Sequence, residues 1–333
     1  VGSNILSQAL AEIETVQRKD VLIGLHEPDD AAVIKLSANI LTVHTVDYFR
    51  SFIDDPYIFG QIAANHSLSD LFAMGASAQS ALAIVTVPFG IESKTEETIK
   101  HLMMGATNIL NASDTALVGG HTSEGSDLSL GFAVNGVIEQ NKILLKGGMK
   151  PNEVLILTKA LGTGTIFAAH MQRKTKGIWV DYAIESMLQS NQRAAQIIFQ
   201  HKASACTDIT GFGLLGHMIE MIKASKVDID LSLNSLPVLD GARDTIAMGV
   251  FSSLQSANIR LRRAIRNFDD VKDETLFPLM FDPQTSGGLL CSIPESQSDS
   301  CLKMLIAAGY SNATVIGRVL EEGEAIEPVF IRL

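Results

Sequence analysis

Cysteine is scarce in this chain. Three in 333 residues, Cys206, Cys291 and Cys301, are scattered without CxxC spacing, which excludes a disulfide framework and a cysteine zinc site. Each reads as an ordinary small apolar residue. Positive charge is also short: 26 Lys and Arg stand against 37 Asp and Glu, a formal net charge of −11. A phosphate backbone needs a clustered basic face, so no nucleic-acid partner is expected. No apolar run of about 18 residues is present, and no secretory leader is visible. The expectation is a soluble cytoplasmic protein with no membrane span. The motifs GxxxxGK[ST], GxSxG and HExxH are missing, and the GxGxxG string at Gly211–Gly216 is not read as a dinucleotide fingerprint. Walker ATPases, elbow hydrolases, zincins and a dinucleotide fold are thereby set aside, and there is no exact repeat. What remains is a chain of 46% hydrophobic and 19% charged residues, longer than one core usually serves. Two folded domains are expected.

The opening VGSNILSQALAEI spaces Leu6, Leu10 and Ile13 as a helix, with Ser3 or Asn4 as its cap. The first residue is Val1, not methionine, which suggests a processed product with further sequence upstream. AAVIKLSANILTVHTVDYF reads as two strands around Ser37-Ala38-Asn39. Leu41, Val43, Thr45 and Asp47 alternate onto one face, and Asp47 falls at the strand end. Residues 59 to 73 form a helix whose stripe of Phe59, Ile62, Ala63, His66, Asp70 and Ala73 puts Asp70 where an apolar residue belongs. A strand at SALAIVTVPF, a helix over 94 to 111, and strands at TALVGGH and LSLGFAVNGVI follow. The glycines and proline of LLKGGMKPNE, 144 to 153, mark the domain boundary, giving domains over 1–147 and 148–333. The second domain starts with a strand and glycine turn in EVLILTKALGTGT and a helix in AIESMLQSNQRAAQIIF. In DITGFGLLGH and its continuation, Leu214, Leu215, Met218, Ile219 and Ile222 share a helix face, and ATVIGRVLEEGEAIEPVFIRL reads as a hairpin. Both domains are mixed α and β.

Four places offer a carboxylate at the edge or inner face of an element: Asp29 with Asp30, Asp47, Asp70 and Asp208. Hard cations such as Mg²⁺ take oxygen ligands, and several acids converging on a triphosphate let an acidic protein hold ATP. Taken singly, Asp29 and Asp30 serve a turn equally well, and Asp208 a helix cap. Asp70 is harder to explain by packing, because an unpaired buried carboxylate costs several kcal/mol. His66, four residues earlier, is its candidate partner, unless the two form a pair on the helix surface. Glycines let backbone approach an anion closely, and VGGHTSEG, ALGTGT and TGFGLLG are candidates. Each is weak alone. His121 could orient a ligand or serve a turn, and Lys159 reads better as a solvated strand-end lysine than as a phosphate contact.

The strings DDAAVI, SDLFAMGA, VGGHTSEG, LTKALGTG, TDITGFGLLGH and FDPQTSGGLL occur in the order found in selenophosphate synthetases, or selenide, water dikinases. The chain resembles that family of the aminoimidazole-ribonucleotide-synthetase-like superfamily over nearly its whole length. The resemblance implies an α+β (mixed α/β) two-domain fold whose N-terminal sheets pair in a homodimer, the N-terminal domain binding ATP and Mg²⁺. By position, Asp30, Asp47, Asp70 and Asp208 correspond to the family's metal- and ATP-handling aspartates, with Asp30, Asp70 and Asp208 as the metal ligands. Gly119, Gly120 and His121 correspond to its nucleotide-contacting GGH, and Asp29 joins the nucleotide candidates beside Asp30. The implied reaction converts ATP, selenide and water to selenophosphate, AMP and phosphate, a phosphoryl transfer governed by positioning and charge neutralisation.

The family also carries a glycine-rich loop with a cysteine or selenocysteine and a lysine, just ahead of a segment resembling VGSNILSQAL. Those two catalytic residues are expected upstream of Val1. No residue here inherits their roles, and Cys206 does not replace them. The isolated 333 residues are therefore expected to be weakly active or inactive, as in a divergent branch joined to a further domain upstream. His66 stands where the family often has asparagine, Glu27-Pro28 replaces a pair containing arginine, and in FSSLQSANIRL only Asn258 is recognisable. Two other readings stay open: the same fold with a different phosphoryl acceptor, as in thiamine-monophosphate kinase or the hydrogenase-maturation relatives, and a nucleotide-binding domain without turnover.

Overall fold

The computed structural model describes residues 13, 16–25 and 28–333. The helix expected over 3–13 lies outside the described residues except for Ile13. Val1, ahead of which the catalytic cysteine and lysine are expected, lies outside them too, as does Glu27. The chain divides into two units, one reaching to Ile143 and including Met187–Gln192, the other formed by Leu144–Ser186 and Arg193–Leu333.

In the first unit the elements are β1 (Val21–Ile23), β2 (Ala32–Lys35), β3 (Ile40–Arg50), α1 (Pro56–Ala73), β4 (Ser77–Pro88), α2 (Glu92–Ala112), β5 (Ala116–Gly125) and β6 (Ser129–Glu139). They build a six-stranded sheet of order β1-β2-β3-β6-β4-β5, antiparallel except for the β4–β5 pair. Strands β3 and β6 pair over their full length, from Ile40 opposite Glu139 to Arg50 opposite Ser129. The β2–β3 hairpin forms as expected, and period-two alternation buries Leu41 and Val43. Strand β3 continues to Arg50, so Asp47 lies within it, opposite Phe132, and not at its end. A long partner strand keeps the ladder going past the last apolar residue.

Helix α1 begins where Asp55 Oδ1 accepts from the Tyr57 and Ile58 amides at 2.8 and 3.2 Å, with Pro56 in its first turn. Its burial is wider than one stripe: Asn65, Ser67, Leu68, Ser69, Leu71 and Phe72 are buried too. The 187–192 segment accommodates two of the polar ones. Asn65 Nδ2 donates to the Met187 and Gln189 carbonyls, and Asn191 Nδ2 to Ser69 Oγ. The other face of the sheet leaves Val46, Tyr48 and Leu82 exposed.

The second unit holds β7 (Glu153–Leu157), α3 (Thr163–Met171), α4 (Gly177–Leu188), α5 (Gln192–Gln200), β8 (Ala205–Asp208), α6 (Gly213–Ser225), β9 (Val227–Ser232), α7 (Ala242–Ala247), α8 (Gln255–Asn258), α9 (Phe268–Val271), β10 (Leu289–Pro294), α10 (Glu295–Ala307), β11 (Thr314–Glu321) and β12 (Val329–Arg332), with α4 and α5 each reaching into the 187–192 segment of the first. Its sheet order is β12-β9-β11-β7-β10-β8. The helix expected across 183–199 is two, α4 and α5, interrupted at 189–191; Ser190 Oγ accepts from the Gln192 amide and starts the second. The C-terminal hairpin does not form. Strands β11 and β12 both pair with β9, one on each side, and β12 runs parallel to it. The five apolar residues of α6 are all buried in a core with Ile209, Phe277 and Phe281. Truncating any such leucine would cost about 2–5 kcal/mol. The three cysteines are buried and free. No helix among the described residues is long and apolar enough to cross a membrane.

Candidate active site

The first unit gathers its acids where β2, β3 and α1 meet. Asp29 Oδ1 accepts from the Asp30 amide at 2.8 Å, the turn contact foreseen for this pair. Asp30 and Asp70 each bring a carboxylate oxygen within 4.8 Å of the other. Both are only partly buried. The contact that orients Asp70 is Thr45, whose Oγ1 donates to Asp70 Oδ2 at 2.5 Å. His66, the partner that helical spacing suggested, has its Nε2 3.9 Å from Asp47 Oδ1 and its ring edge-on to Phe49, centroids 5.1 Å apart. Thr45 and Asp47 lie on the same face of β3, so α1 sets one residue against each. Sequence reasoning had placed Thr45 on that face without giving it a role.

The Gly119-Gly120-His121 string is strand, as TALVGGH was expected to be, so His121 does not serve a turn. It lies in β5, the exposed edge strand, with Gly120 opposite Ala83 and His121 opposite Ile84. A Cβ on Gly120 would stand 2.2 Å from the Ala83 carbonyl, so only glycine permits the pairing there. The three residues border a groove with Ala83, Val85, Ile99, Met103 and Leu117. This groove combines an apolar floor with a run of strand backbone.

In the second unit Asp208 closes β8 and is 1% exposed, and its Oδ2 has no hydrogen-bond partner among the described residues. Helix α6 starts at Gly213 after Phe212 with no side-chain cap, so Asp208 does not cap it. The turn between them is narrow. Gly213 has φ +69, and a Cβ there would lie 2.9 Å from the Phe281 carbonyl carbon and 3.0 Å from the Asp282 oxygen. Asn258 Nδ2 donates to the Gly211 and Phe281 carbonyls at 2.9 and 3.1 Å. That explains how one recognisable asparagine in an altered segment serves the site.

Lys159 is not solvated at a strand end. It is 2% exposed, and its Nζ donates to the Ser286 carbonyl at 2.9 Å. Burial pulls its ammonium down to about 7, against the upward pull of the Asp208 charge. Local sequence could not show this, because the residues that bury it come from strand β10 and its approach. The same loop, DPQTSGG, caps α3 from a distance. Gln284 Oε1 accepts from the Gly162 and Thr163 amides and the Thr163 hydroxyl at 3.0, 3.2 and 3.1 Å, while its Nε2 donates to Asp282 Oδ2 at 3.0 Å. Burial pushes Asp282 up to about 7, with the Thr165 amide, the Gln284 side chain and the Gly164 amide pulling the other way.

The catalytic cysteine and lysine expected upstream of Val1 are not among the described residues, and Val1 itself is not either. Cys206 is no substitute for the cysteine. It sits within β8 opposite Cys291, buried from any substrate. The acids, by contrast, offer hard carboxylate oxygens, which suit a small divalent cation. An unpartnered, fully buried carboxylate oxygen at Asp208 is a group that a cation or a donor must neutralise.

Residues 28–138 match the family profile described as AIR synthase related protein, N-terminal domain, and 150–328 match its C-terminal domain. The chain is 37% identical over 324 residues to a selenide, water dikinase of Caldanaerobacter subterraneus subsp. tengcongensis, covering 97% of this chain and 93% of that one. It is 34% identical over 326 residues to a selenide, water dikinase of Clostridioides difficile, covering 97% and 92%. Among solved structures, a thiamine-monophosphate kinase from Stenotrophomonas maltophilia shares the fold, with a TM-score of 0.65 at 20% identity over 98% of this chain and 94% of that one.

Proposed function

Because this chain belongs to the selenide, water dikinase family, we propose that it makes selenophosphate from selenide, ATP and water, releasing AMP and phosphate. The observation that carries this reading is the 37% identity over 97% of the chain, which spans both units. ATP is the phosphoryl donor and selenide the acceptor. Asp30 and Asp70 on the first unit and Asp208 on the second are the proposed Mg²⁺ ligands. Mg²⁺ when bound neutralises phosphate charge and polarises the oxygens of the transferring group.

Thr45 fixes the rotamer of Asp70 by donating to its Oδ2. Asp29 holds the Asp30 amide and so sets the turn that carries the ligand. Asp47, with the His66 ring beside it, and the β5 string Gly119, Gly120 and His121 are proposed to contact the nucleotide, whose apolar part suits the groove floor of Ala83, Val85 and Met103. Residues 1–147 are accordingly assigned ATP binding and dimerisation, and 148–333 the second α/β domain. The exposed Val46, Tyr48 and Leu82 on the helix-free face of the first sheet favour a homodimer built on that face. The cytoplasm is the proposed location.

The experiment is chromatography of nucleotides after anaerobic incubation of the full gene product with ATP, Mg²⁺ and selenide. Conversion of ATP to AMP that requires selenide is expected. ATP consumed equally well without selenide, or converted only to ADP with another acceptor, would reject the assignment.

A further inference from the structure

Between Asp208 and α6 the chain makes a short turn whose backbone is held from several sides. The Ile209 amide donates to the Gly288 carbonyl at 2.8 Å, the Thr210 carbonyl accepts from the Gly213 and Gln284 amides at 3.1 and 2.9 Å, and Asn258 holds the Gly211 carbonyl. The Thr210 amide goes to a side chain: it donates to His217 Nε2 at 3.2 Å, and the Thr210 hydroxyl lies 3.2 Å from the same nitrogen. A ring nitrogen that accepts from an amide carries no proton, so the neutral imidazole must be protonated at Nδ1. Nδ1 faces Glu220 Oε2 at 3.6 Å, too long for a full hydrogen bond but close enough for the carboxylate to favour an N–H on that side. Lys146 Nζ donates to the same Oε2 at 2.9 Å. Burial, the largest influence on Glu220, pushes its carboxyl up, but His217 and Lys146 outweigh it and hold the group at about 2. The acid is therefore charged whenever the ring reads it. His217 is buried, and the Phe212 ring lies across it at 5.5 Å between centroids.

We propose that His217, its tautomer set by Glu220 and Lys146, is a positioning residue that holds the Thr210 amide and thereby aims the Asp208 carboxylate at a divalent cation. The proposal rests on the reading of Asp208 as a Mg²⁺ ligand. It gives the Lys146–Glu220–His217 chain a task that neither core packing nor nucleotide contact supplies. A ring turned over, or protonated on Nε2, would set N–H against N–H and release the turn two residues from the ligand.

The test is calorimetric ATP binding to the full gene product across a Mg²⁺ series, with melting temperature recorded for each variant. His217→Phe keeps an aromatic ring in contact with Phe212 but removes the acceptor, and His217→Gln restores an amide oxygen that can accept and an N–H that can donate. The expected result is that H217F raises the Mg²⁺ needed for half-maximal ATP binding by about tenfold, while H217Q stays within about threefold of wild type. A purely structural role would lower the melting temperature in both and leave the Mg²⁺ requirement unchanged, which overturns the proposal. D208N is the control: a raised requirement in D208N with none in H217F removes this inference alone, and an unchanged requirement in D208N removes the Mg²⁺ role of Asp208 and this inference with it. Should H217F fail to fold, E220Q and H217Q decide, since E220Q is expected to raise the requirement about threefold and no change in it contradicts the relay.

Discussion

The two units present their acids in opposite ways. In the first, Asp30 and Asp70 are partly exposed at the meeting of two strands and a helix, Asp29 holding the Asp30 amide and Thr45 reaching Asp70 across the packed β3. In the second, Asp208 is sealed from water with one oxygen unpartnered, as is Asp282, and Asp208 leads into a turn held by the 284–288 loop, Asn258 and His217. A carboxylate in water changes little when its ligand leaves. A buried one is held at an energetic cost that a ligand relieves, so the second unit is where loss of one group should matter most.

The most severe test of that contrast is Asp208→Asn. ATP binding in the presence of Mg²⁺ should weaken by roughly 100-fold, about 2.7 kcal/mol, while the fold is retained. Calorimetry and thermal denaturation on the same sample read both. Gly213→Ala should come next. The left-handed φ and the 2.9–3.0 Å contacts facing its new methyl predict a loss of about 2 kcal/mol in urea denaturation. Asp70→Asn, in the open setting, should weaken Mg²⁺-dependent ATP binding by only about tenfold with the fold retained; an effect equal to that of D208N would erase the contrast.

The smallest effect concerns pH. The Glu220 carboxyl sits at about 2, below its ordinary value of 4.5, so its contribution is present above pH 4.5 and is lost as pH falls through the folded value. With 35% of its side chain exposed, that contribution is about 1 kcal/mol after allowing for solvent screening. Glu220→Gln should therefore be less stable than wild type by this amount near neutral pH, and the gap should close between pH 4.5 and 2 in acid denaturation.

What could be read from sequence follows the range of the interaction. The β2–β3 hairpin, helix α1 and the apolar face of α6 are written in local periodicity, and Asp70 stood out because it broke one. Asp208 stood out through its glycines. Lys159 was misjudged because the segment that buries it lies more than a hundred residues away, at Ser286. Strand β12 was taken for half of a hairpin because a parallel partner such as β9 leaves no turn signal between them. TALVGGH was read as a strand, but His121 was weighed as a turn histidine, since a glycine required for close strand pairing and one required for a tight turn are spelled alike. Thr45 carried no signal beyond its alternation, and the hydroxyl that fixes Asp70 is legible only once β3 and α1 are packed.

The most direct measurement of the account is phosphorus NMR of the anaerobic reaction of the full gene product with ATP, Mg²⁺ and selenide. The account predicts a resonance of phosphorus bonded to selenium appearing in step with those of AMP and inorganic phosphate, and abolished in D208N. A spectrum showing ATP turned over with no phosphorus–selenium resonance, or with that resonance undiminished in D208N, would contradict it.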